Sequence, residues 1–294
     1  MITPVNPLST FIEGLKRRRP PSTLYHYTSI AGLIGIIETK SLWATNIWFL
    51  NDQKEVSLAL ELARQNLDAR RHETTPSGFK LGLLDVLRRS LDQVSEITVY
   101  VASFSENGDQ LSQWRGYSHG ISGYSIGITP HDLLNASANG LTLAKCIYGE
   151  KGQTELIETI IDNLFAFATT LWEQKPKEQD RVYRESYKLF ASLLSTAAPL
   201  IKDSSFSEEA EWRLFSQPTM FDPTQLKFRP GRSMPIPYCE FPLSNLKEAL
   251  KFKEVIIGPT PHPQLAQQAV EALFLNQRVN CNCIRNSVIP YRDW

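Results

Sequence analysis

Short strand patterns and amphipathic helix patterns follow one another irregularly along this chain, and this order restricts the possible folds more than any other feature. A strand pattern at 23–27 leads directly into a helix pattern whose apolar residues at 30, 33, 34 and 37 form one face. Further strands are predicted at 41–48, 97–104, 123–128, 143–148, 212–215, 254–257 and 281–290. Residues 218–242, between two of these strands, are predicted to form a proline-rich loop. Because regular strand–helix alternation is missing, the pattern predicts an α+β protein rather than a doubly wound parallel sheet.

The helix patterns indicate how the chain is divided. They cover 54–71, 79–91, 154–201 and 264–275. The spacing of Asp52 and Glu55 is typical of a capping box at the start of the first of these helices. Residues 1–22 are predicted to form an N-terminal arm, and residues 23–294 a single α+β domain with a helical insertion at about 154–203.

Charge balance and cysteine content restrict the partners and the compartment. Lys plus Arg and Asp plus Glu amount to 31 residues each, so the overall charge does not require a polyanionic partner. The basic run at 16–19 is either solvated or contacts nucleic acid. The four cysteines are too few and too scattered for a disulfide framework, which predicts reduced thiols in a cytoplasmic protein. No stretch has the pattern of a membrane span or a signal peptide, so we expect no membrane contact.

Three common motifs for phosphate or metal binding are absent from the sequence. It contains no G-x-x-x-x-G-K-[ST], no G-x-G-x-x-G and no H-E-x-x-H. The sequence therefore gives no support to a P-loop nucleotidase, a Rossmann dehydrogenase or a zinc protease of the common type, and no resident metal is expected.

An alternating carboxylate pair is the first candidate for a reactive site. We predict Glu209 and Glu211 on one strand, where both side chains face the same side while Ala210 faces the core. Two close carboxylates suit a developing positive charge, such as the oxocarbenium ion that forms when a glycosidic bond to ribose breaks. Arg213 lies on the same predicted face, so the alternative is an ion-paired edge strand at which nothing reacts.

His26 is the second candidate. It lies on a predicted strand between Tyr25 and Tyr27, whose side chains point to the opposite side of that strand. A strand histidine of this kind either faces a ligand or is a hydrogen-bonded core residue, and the spacing leaves both interpretations open.

The polar, glycine-rich segment 105–122 is the third candidate region. It is predicted to be a loop between two strands, which is a common location for binding sites. Within it, Trp114, Arg115 and Tyr117 are candidates to stack on a planar ring and to hold a phosphate. The alternative for Trp114 is that it anchors its own loop.

Several of these stretches together resemble DUF2971, a family of uncharacterised bacterial proteins. The resemblance spans roughly residues 23–290. The stretches that carry it are 25–29, 42–45, 50–55, 103–105, 111–117 and 206–213.

The chain also resembles the ADP-ribosyltransferase superfamily. The resemblance rests on His26-x-Thr28 directly before a helix and on Glu209-x-Glu211 in a late strand. It implies a split, mixed or antiparallel sheet with flanking helices, and NAD as the substrate. It further implies that His26 binds a ribose of NAD with support from Thr28, and it places Tyr27 among the residues that bind NAD.

The same resemblance implies roles for the remaining candidates. Glu211 would orient the nicotinamide ribose and stabilise the cation, and Glu209 would activate the acceptor. Trp114 and Tyr117 are the candidates for stacking on nicotinamide, with Arg115 beside them.

Three functional hypotheses follow. The first is an enzyme that transfers ADP-ribose from NAD to a protein or nucleic-acid acceptor, or hydrolyses NAD, as a toxin or phage-defence effector. The second is a non-catalytic module that senses a nucleotide or nucleic acid. The third is a metal-dependent, nuclease-like enzyme that uses Glu209, Glu211 and Asp52 to hold a divalent cation.

Overall fold

The computed structural model describes residues 7–50, 54–73, 78–91, 97–118, 123–136, 140–220, 224, 226–231, 233–244 and 248–291. The helices are α1 Pro7–Leu15, α2 Ile30–Thr39, α3 Lys54–Glu73, α4 Phe79–Ser90, α5 Leu111–Ser118, α6 Pro130–Ala136, α7 Glu150–Gln174, α8 Gln179–Ala197 and α9 Pro263–Gln277. Short 3-10 helices cover Ile47–Phe49, Ala198–Leu200 and Ser204–Glu209.

The strands are short, as the sequence predicts. They are β1 Leu24–Ser29, β2 Ser41–Asn46, β3 Ile97–Thr98, β4 Tyr100–Ser105, β5 Gly123–Ile128, β6 Thr142–Lys145, β7 Glu211–Phe215, β8 Thr219–Met220, β9 Lys227–Pro230, β10 Pro235–Pro242, β11 Lys251–Phe252, β12 Glu254–Ile257, β13 Asn280–Cys281 and β14 Ile284–Asn286. With helices on both faces of the sheet they form, the prediction of an α+β fold is confirmed.

Most of these strands form one open, mostly antiparallel sheet. Its order is β14-β12-β5-β1-β4-β2-β10-β9, and β7 adds to β4 while β6 adds to β7. Within this sheet only the β12–β14 pair is parallel, among the residues that the structure describes. Two further pairs, β3–β8 and β11–β13, lie outside the main sheet.

The centre of the sheet is strand β4, where the sheet divides. On one edge β4 pairs with β7 over five residues, from Val101 to Ser105. On the other edge its first residues pair with β2 and its last residue, Ser105, pairs with Tyr25 of β1. Since β1 and β2 share one edge of β4, they diverge from each other, and a gap opens between them beside Ser103.

Each face of the sheet is covered by its own apolar core. One core joins α3, α4, α7 and α8 to the face that carries Val101 and Phe215. The other core packs α2 and α9 against the face that carries Phe104 and Leu214. The predicted helical insertion at 154–203 is therefore part of the first core, where α7 and α8 pack against each other and against the preceding helices.

Local sequence signals explain the element that follows β1. Ser29 caps α2, since its hydroxyl accepts a hydrogen bond from the amide of Gly32 at 3.2 Å. The helix ends at Lys40, which adopts the left-handed conformation at φ 50°. The cap predicted from Asp52 and Glu55 falls on residues whose side chains lie outside the described part of the chain.

Three expectations about chain segments are changed by the structure. Residues 7–15 of the expected arm form helix α1, and its Phe11 is buried in the core. The segment 105–122, predicted to be a loop, contains helix α5. The proline-rich segment 218–242 contains strands β9 and β10, an antiparallel pair that extends the sheet beyond β2. Pro230 is accommodated because β9 is the edge strand, and Pro235 and Pro242 are the two end residues of β10.

In the described part of the chain, none of the helices combines the length and the apolar character needed to span a membrane.

Candidate functional site

His26 lies on β1 at the gap between β1 and β2. Its Nδ1 is 2.9 Å from the carbonyl oxygen of Ser103 in β4. A carbonyl only accepts, so Nδ1 carries the proton and Nε2 keeps its lone pair in the neutral ring. Burial lowers the pKa of His26, the bond to Ser103 counteracts this, and the charge of Arg229 lowers the pKa further. The imidazole is therefore neutral at pH 7 and offers Nε2 as a hydrogen-bond acceptor.

Glu211 is the first residue of β7 and is buried, with 4% of its surface exposed. The guanidinium of Arg213 donates from Nε to Oε1 at 2.8 Å and from Nη2 to Oε2 at 3.2 Å. The ammonium group of Lys202 donates to Oε2 at 2.5 Å. The amide of Glu211 donates to the hydroxyl of Tyr148 at 2.8 Å. Arg213 and Lys202 therefore fix the position of the carboxylate, and Tyr148 binds the backbone of the same residue.

Electrostatics keeps Glu211 ionised despite its burial. Burial alone would raise the pKa of its carboxyl, but the charges and hydrogen bonds of Arg213 and Lys202 hold that pKa at about 2. The same carboxylates raise the pKa of Lys202 against the opposing effect of its burial. Two carboxylates and two cations therefore balance within this cluster, which also includes Glu209.

Glu209 does not lie on the strand, contrary to the sequence-based prediction. It ends the 3-10 helix Ser204–Glu209, and Ala210 then takes up the left-handed conformation at φ 44° before β7 begins. Both carboxylates nevertheless meet, because Lys202 donates to Glu209 as well as to Glu211. A turn and a shared lysine, rather than strand alternation, bring Glu209 beside Glu211.

His26, Glu209 and Glu211 line one cavity, which we call the central cavity. Its volume is about 40 Å³, and the walls are formed by Tyr25, His26, Tyr27, Ser103, Phe104, Ser105, Gln113, Tyr117, Glu209 and Glu211. The cavity is large enough for a few water molecules. Its rim is accessible, since Tyr117 keeps 36% of its surface exposed. A ligand larger than this volume must extend along the surface or separate the walls.

Aromatic rings form one wall of the central cavity. Tyr27 packs on the edge of Trp114, with ring centroids 4.8 Å apart, and stacks on Tyr117 at 6.3 Å. Desolvation raises the pKa of the Tyr117 hydroxyl to about 12, and the charges of Glu211 and Glu209 add to this effect. Tyr117 is therefore a protonated hydroxyl close to the carboxylates, able to donate a hydrogen bond.

Trp114 anchors its segment instead of lining the cavity. It is fully buried, and its Nε1 donates to Asp109 at 2.7 Å. Asp109 also accepts hydrogen bonds from the hydroxyl of Ser287 and the amide of Val288. Of the two interpretations of Trp114, the structure favours the anchor.

The other two predicted binding residues are not among the residues that line the central cavity. Thr28 pairs with Tyr124 in β5 and lies beside Gly32 of α2. Arg115 is exposed and packs over the ring of Tyr291 at 5.3 Å. His26, Tyr27, Tyr117 and both glutamates are thus brought together, while Trp114, Thr28 and Arg115 are not.

Several residues of the site carry no obvious sequence signal. Lys202 directly follows the apolar run 197–201. A lysine at the end of an apolar run is the only sequence signal that indicates a buried cation here. Ser105 holds the two halves of the site together, since its hydroxyl donates to the carbonyl of Glu209 at 2.7 Å and accepts from the amide of Asn107 at 3.0 Å. Arg229 comes from the hairpin that sequence patterns placed in a proline-rich loop.

The G-x-S-x-G spacing at 123–127 does not form a nucleophile elbow. Ser125 lies in the middle of β5 and is fully buried. A nucleophile elbow needs a sharp turn between a strand and a helix.

Within the described ranges there is no group of three His, Cys, Asp or Glu side chains arranged for a metal. Glu209 and Glu211 use Lys202 as their counter-ion, and Asp52 lies outside the described residues.

Residues 113–214 match the model of a family described as Protein of unknown function (DUF2971). The predicted family resemblance to DUF2971 is confirmed over this range. The DUF2971 match begins at Gln113 in α5 and ends at Leu214 in β7, so it includes Tyr117, Lys202 and both glutamates. His26 lies before it.

No curated protein and no solved structure matches the chain. The resemblance to ADP-ribosyltransferases therefore stays a prediction.

Proposed function

We propose that the central cavity binds NAD and that the protein transfers ADP-ribose to an acceptor or hydrolyses NAD. One observation carries this proposal: His26 and Glu211, from strands on opposite edges of β4, line the same cavity. A neutral imidazole and an ionised carboxylate that line one cavity are suited to holding ribose hydroxyl groups, because both accept hydrogen bonds. The sheet that divides at β4 is the part of the fold that supports an ADP-ribosyltransferase-like architecture.

The proposed reaction breaks the bond between ribose C1′ and the nicotinamide nitrogen. The bonding electron pair leaves with nicotinamide, which departs neutral, and the ribose becomes an oxocarbenium ion. Glu211, ionised at neutral pH, would interact with this positive charge through a group fixed in advance. Water or an acceptor nucleophile then adds to C1′ and loses its proton to Glu209 or to solvent.

Tyr117 has a supporting role in this proposal. Its ring stacks with Tyr27 at the rim of the cavity, where a planar nicotinamide ring can pack on the exposed part. Its protonated hydroxyl would donate to the ligand. The cavity volume of about 40 Å³ admits only one end of NAD, so most of the dinucleotide would lie along the surface.

A second function is favoured by the charges around Glu211. Arg213 and Lys202 offset the negative charge that would stabilise a cation, and both contact the carboxylate directly. A site in which the carboxylate is held for binding alone fits a nucleotide-sensing module. The two functions share the cavity and differ in whether the glycosidic bond breaks.

Nicotinamide release distinguishes the two functions. Purified protein is mixed with NAD labelled in the nicotinamide ring, with and without a cell extract as the source of acceptor. We expect release by the wild type, and at least about a tenfold loss in Glu209→Gln if this residue takes the acceptor proton. Glu209→Gln is preferable to a change at Glu211, because the Glu209 side chain is 24% exposed and Lys202 keeps its other partner.

The matched control is Glu208→Gln, which changes an exposed carboxylate one residue away. We expect it to release nicotinamide at the wild-type rate. If the wild type binds NAD but releases no nicotinamide under either condition, the enzyme proposal fails and the sensing module stands. Binding is measured separately, as the increase in Tm caused by NAD.

A further inference from the structure

Arg229 lies on the same face of the sheet as Glu211. It is paired with Ile236 across β9 and β10, and Tyr238, two residues further on, is paired with Thr45 of β2. Cross-strand partners share a face, as do residues two apart on a strand. Consistent with this, Nη2 of Arg229 donates to the hydroxyl of Thr45 at 3.0 Å.

Cross-strand pairing also places Thr45 on the sheet face that carries Glu211, one of the residues that line the central cavity. Thr45 is paired with Val101 at the start of β4, and Ser105 at the end of β4 is paired with Glu211. Val101, Ser103 and Ser105 alternate along β4, so their side chains share one face. The side chains of Arg229 and Glu211 therefore lie on the same face of the divided sheet. Arg229 belongs to the β9–β10 hairpin beyond β2, and Glu211 belongs to β7.

Arg229 is a partly buried cation whose hydrogen bonds are incomplete. Its Nε is buried and has no hydrogen-bond partner among the described residues. Within the same ranges no carboxylate forms an ion pair with it, whereas Arg213 is paired with Glu211. A guanidinium taken out of water without an anion is unfavourable, unless a ligand supplies the anion.

Arg229 is not among the residues that line the central cavity, but its charge acts on two residues that do. This charge lowers the pKa of His26, and it interacts with the hydroxyl of Tyr117. Burial lowers the pKa of Arg229 itself, as expected for a cation that lacks a counter-ion. A ligand that contacts His26 would have to extend beyond the cavity toward Thr45 to place an anion beside Arg229.

We propose that Arg229, oriented by Thr45, binds a phosphate group of the nucleotide that occupies the central cavity. Guanidinium groups bind phosphate through paired N–H donors, and a single acceptor such as the Thr45 hydroxyl leaves donors available. This inference rests on the proposed nucleotide site and adds to it that the ligand is selected by phosphate, not by its base and sugar alone.

The test compares ligands that differ in phosphate. Binding of AMP, adenosine and inorganic pyrophosphate is measured by isothermal titration calorimetry for the wild type, Arg229→Gln and Arg229→Lys. We expect Arg229→Gln to weaken AMP and pyrophosphate by about tenfold or more and to leave adenosine within about twofold, because a charge-assisted hydrogen bond is lost for phosphate only. Arg229→Lys keeps the charge and should be intermediate.

Arg184→Gln is the matched control, since Arg184 is exposed on α8. It should bind all three ligands as the wild type does. Equal weakening of AMP and adenosine in Arg229→Gln would overturn the assignment, and so would a wild type that binds AMP no more tightly than adenosine. The Tm of each variant shows whether it is folded.

The outcome separates this inference from the proposed enzyme function. Phosphate-dependent binding without nicotinamide release would retain Arg229 as the phosphate ligand and reject the enzyme. Nicotinamide release with no preference for phosphate would retain the enzyme function and reject Arg229 as the phosphate ligand.

Discussion

His26 and Glu211 face one cavity from strands that lie on opposite edges of β4. The link between them is short: Ser103 of β4 accepts the hydrogen bond of His26 through its carbonyl and is the cross-strand partner of Arg213, which binds Glu211.

Replacing Glu211 with glutamine should destabilise the protein strongly. The substitution replaces the charged partner of buried Arg213 with a neutral amide, while Lys202 keeps the carboxylate of Glu209. Removing one member of a buried ion pair costs about 3–5 kcal/mol. Urea unfolding at pH 7 measures the change. Glu208→Gln, at an exposed side chain, should stay within about 0.5 kcal/mol of the wild type. Similar losses for both variants would show that the buried cluster does not contribute as described.

The cost of that substitution should depend on pH. The pKa of Glu211 is lowered from 4.5 to about 2 in the folded protein, so its stabilising effect is fully present above pH 4.5 and is lost as the pH falls toward 2. The difference in unfolding free energy between wild type and Glu211→Gln should shrink by about 2 kcal/mol between pH 7 and pH 3. Urea titrations of both proteins at the two pH values test this. A difference that stays constant would mean that Glu211 is not held ionised by its neighbours.

The ring of His26 should be neutral and protonated on Nδ1. Two-dimensional ¹H–¹⁵N spectra of the histidine rings should show this tautomer at pH 7, and it should persist below pH 6.5, because the pKa of His26 is lowered from 6.5. The unfolded chain binds the proton more readily, so this group makes the protein less stable as the pH falls below 6.5. His26→Gln, which keeps a donor for Ser103, should lack that contribution. A spectrum with the proton on Nε2 would contradict the assigned hydrogen bond.

Replacing Asp109 with asparagine should release the segment near the C-terminus of the described chain. Asp109 accepts from Trp114, from the hydroxyl of Ser287 and from the amide of Val288 at 2.7, 2.6 and 2.9 Å. An amide offers one acceptor oxygen in place of two, so at least one donor is left without a partner, at a cost of about 1–3 kcal/mol. Hydrogen exchange at Val288 should become faster, while exchange at buried Leu214 of β7 should change only with global stability. Unchanged exchange at Val288 would indicate that Asp109 does not hold this segment.

Replacing Ala210 with glycine should preserve or increase stability. Ala210 has φ 44° and ψ 49°, a conformation in which a Cβ is unfavourable by about 1 kcal/mol. Glycine removes that strain, and part of the gain is offset by its greater freedom in the unfolded chain. Thermal unfolding should show a Tm equal to or above that of the wild type. Ala210→Val, with a branched side chain at the same backbone angles, should lower it.

Much of the fold followed from local pattern. The helix after β1, the long helices α7 and α8, and the strands β5 and β12 lie close to where apolar periodicity predicts them. The composition of helix α5 predicts a loop, because its glycine and polar residues are common in loops; the structure instead has a helix in which Gln113 and Trp114 are buried. The sequence does not predict strands β9 and β10, because their prolines are typical of loops. The β10 strand is paired with β2, which is distant in sequence.

The sequence by itself determined which residues are suited to the proposed chemistry: His26 on a strand before a helix, two glutamates two residues apart, and the tyrosine Tyr117 in a separate polar segment. Only the tertiary structure decided that His26, Tyr117 and the glutamates share a cavity, that Lys202 joins Glu209 to Glu211, and that Arg229 carries a cation to the same face. The physical reason is that residue type and periodicity are local, whereas burial, charge pairing and the divergence of β1 from β2 arise from strand pairings between distant segments.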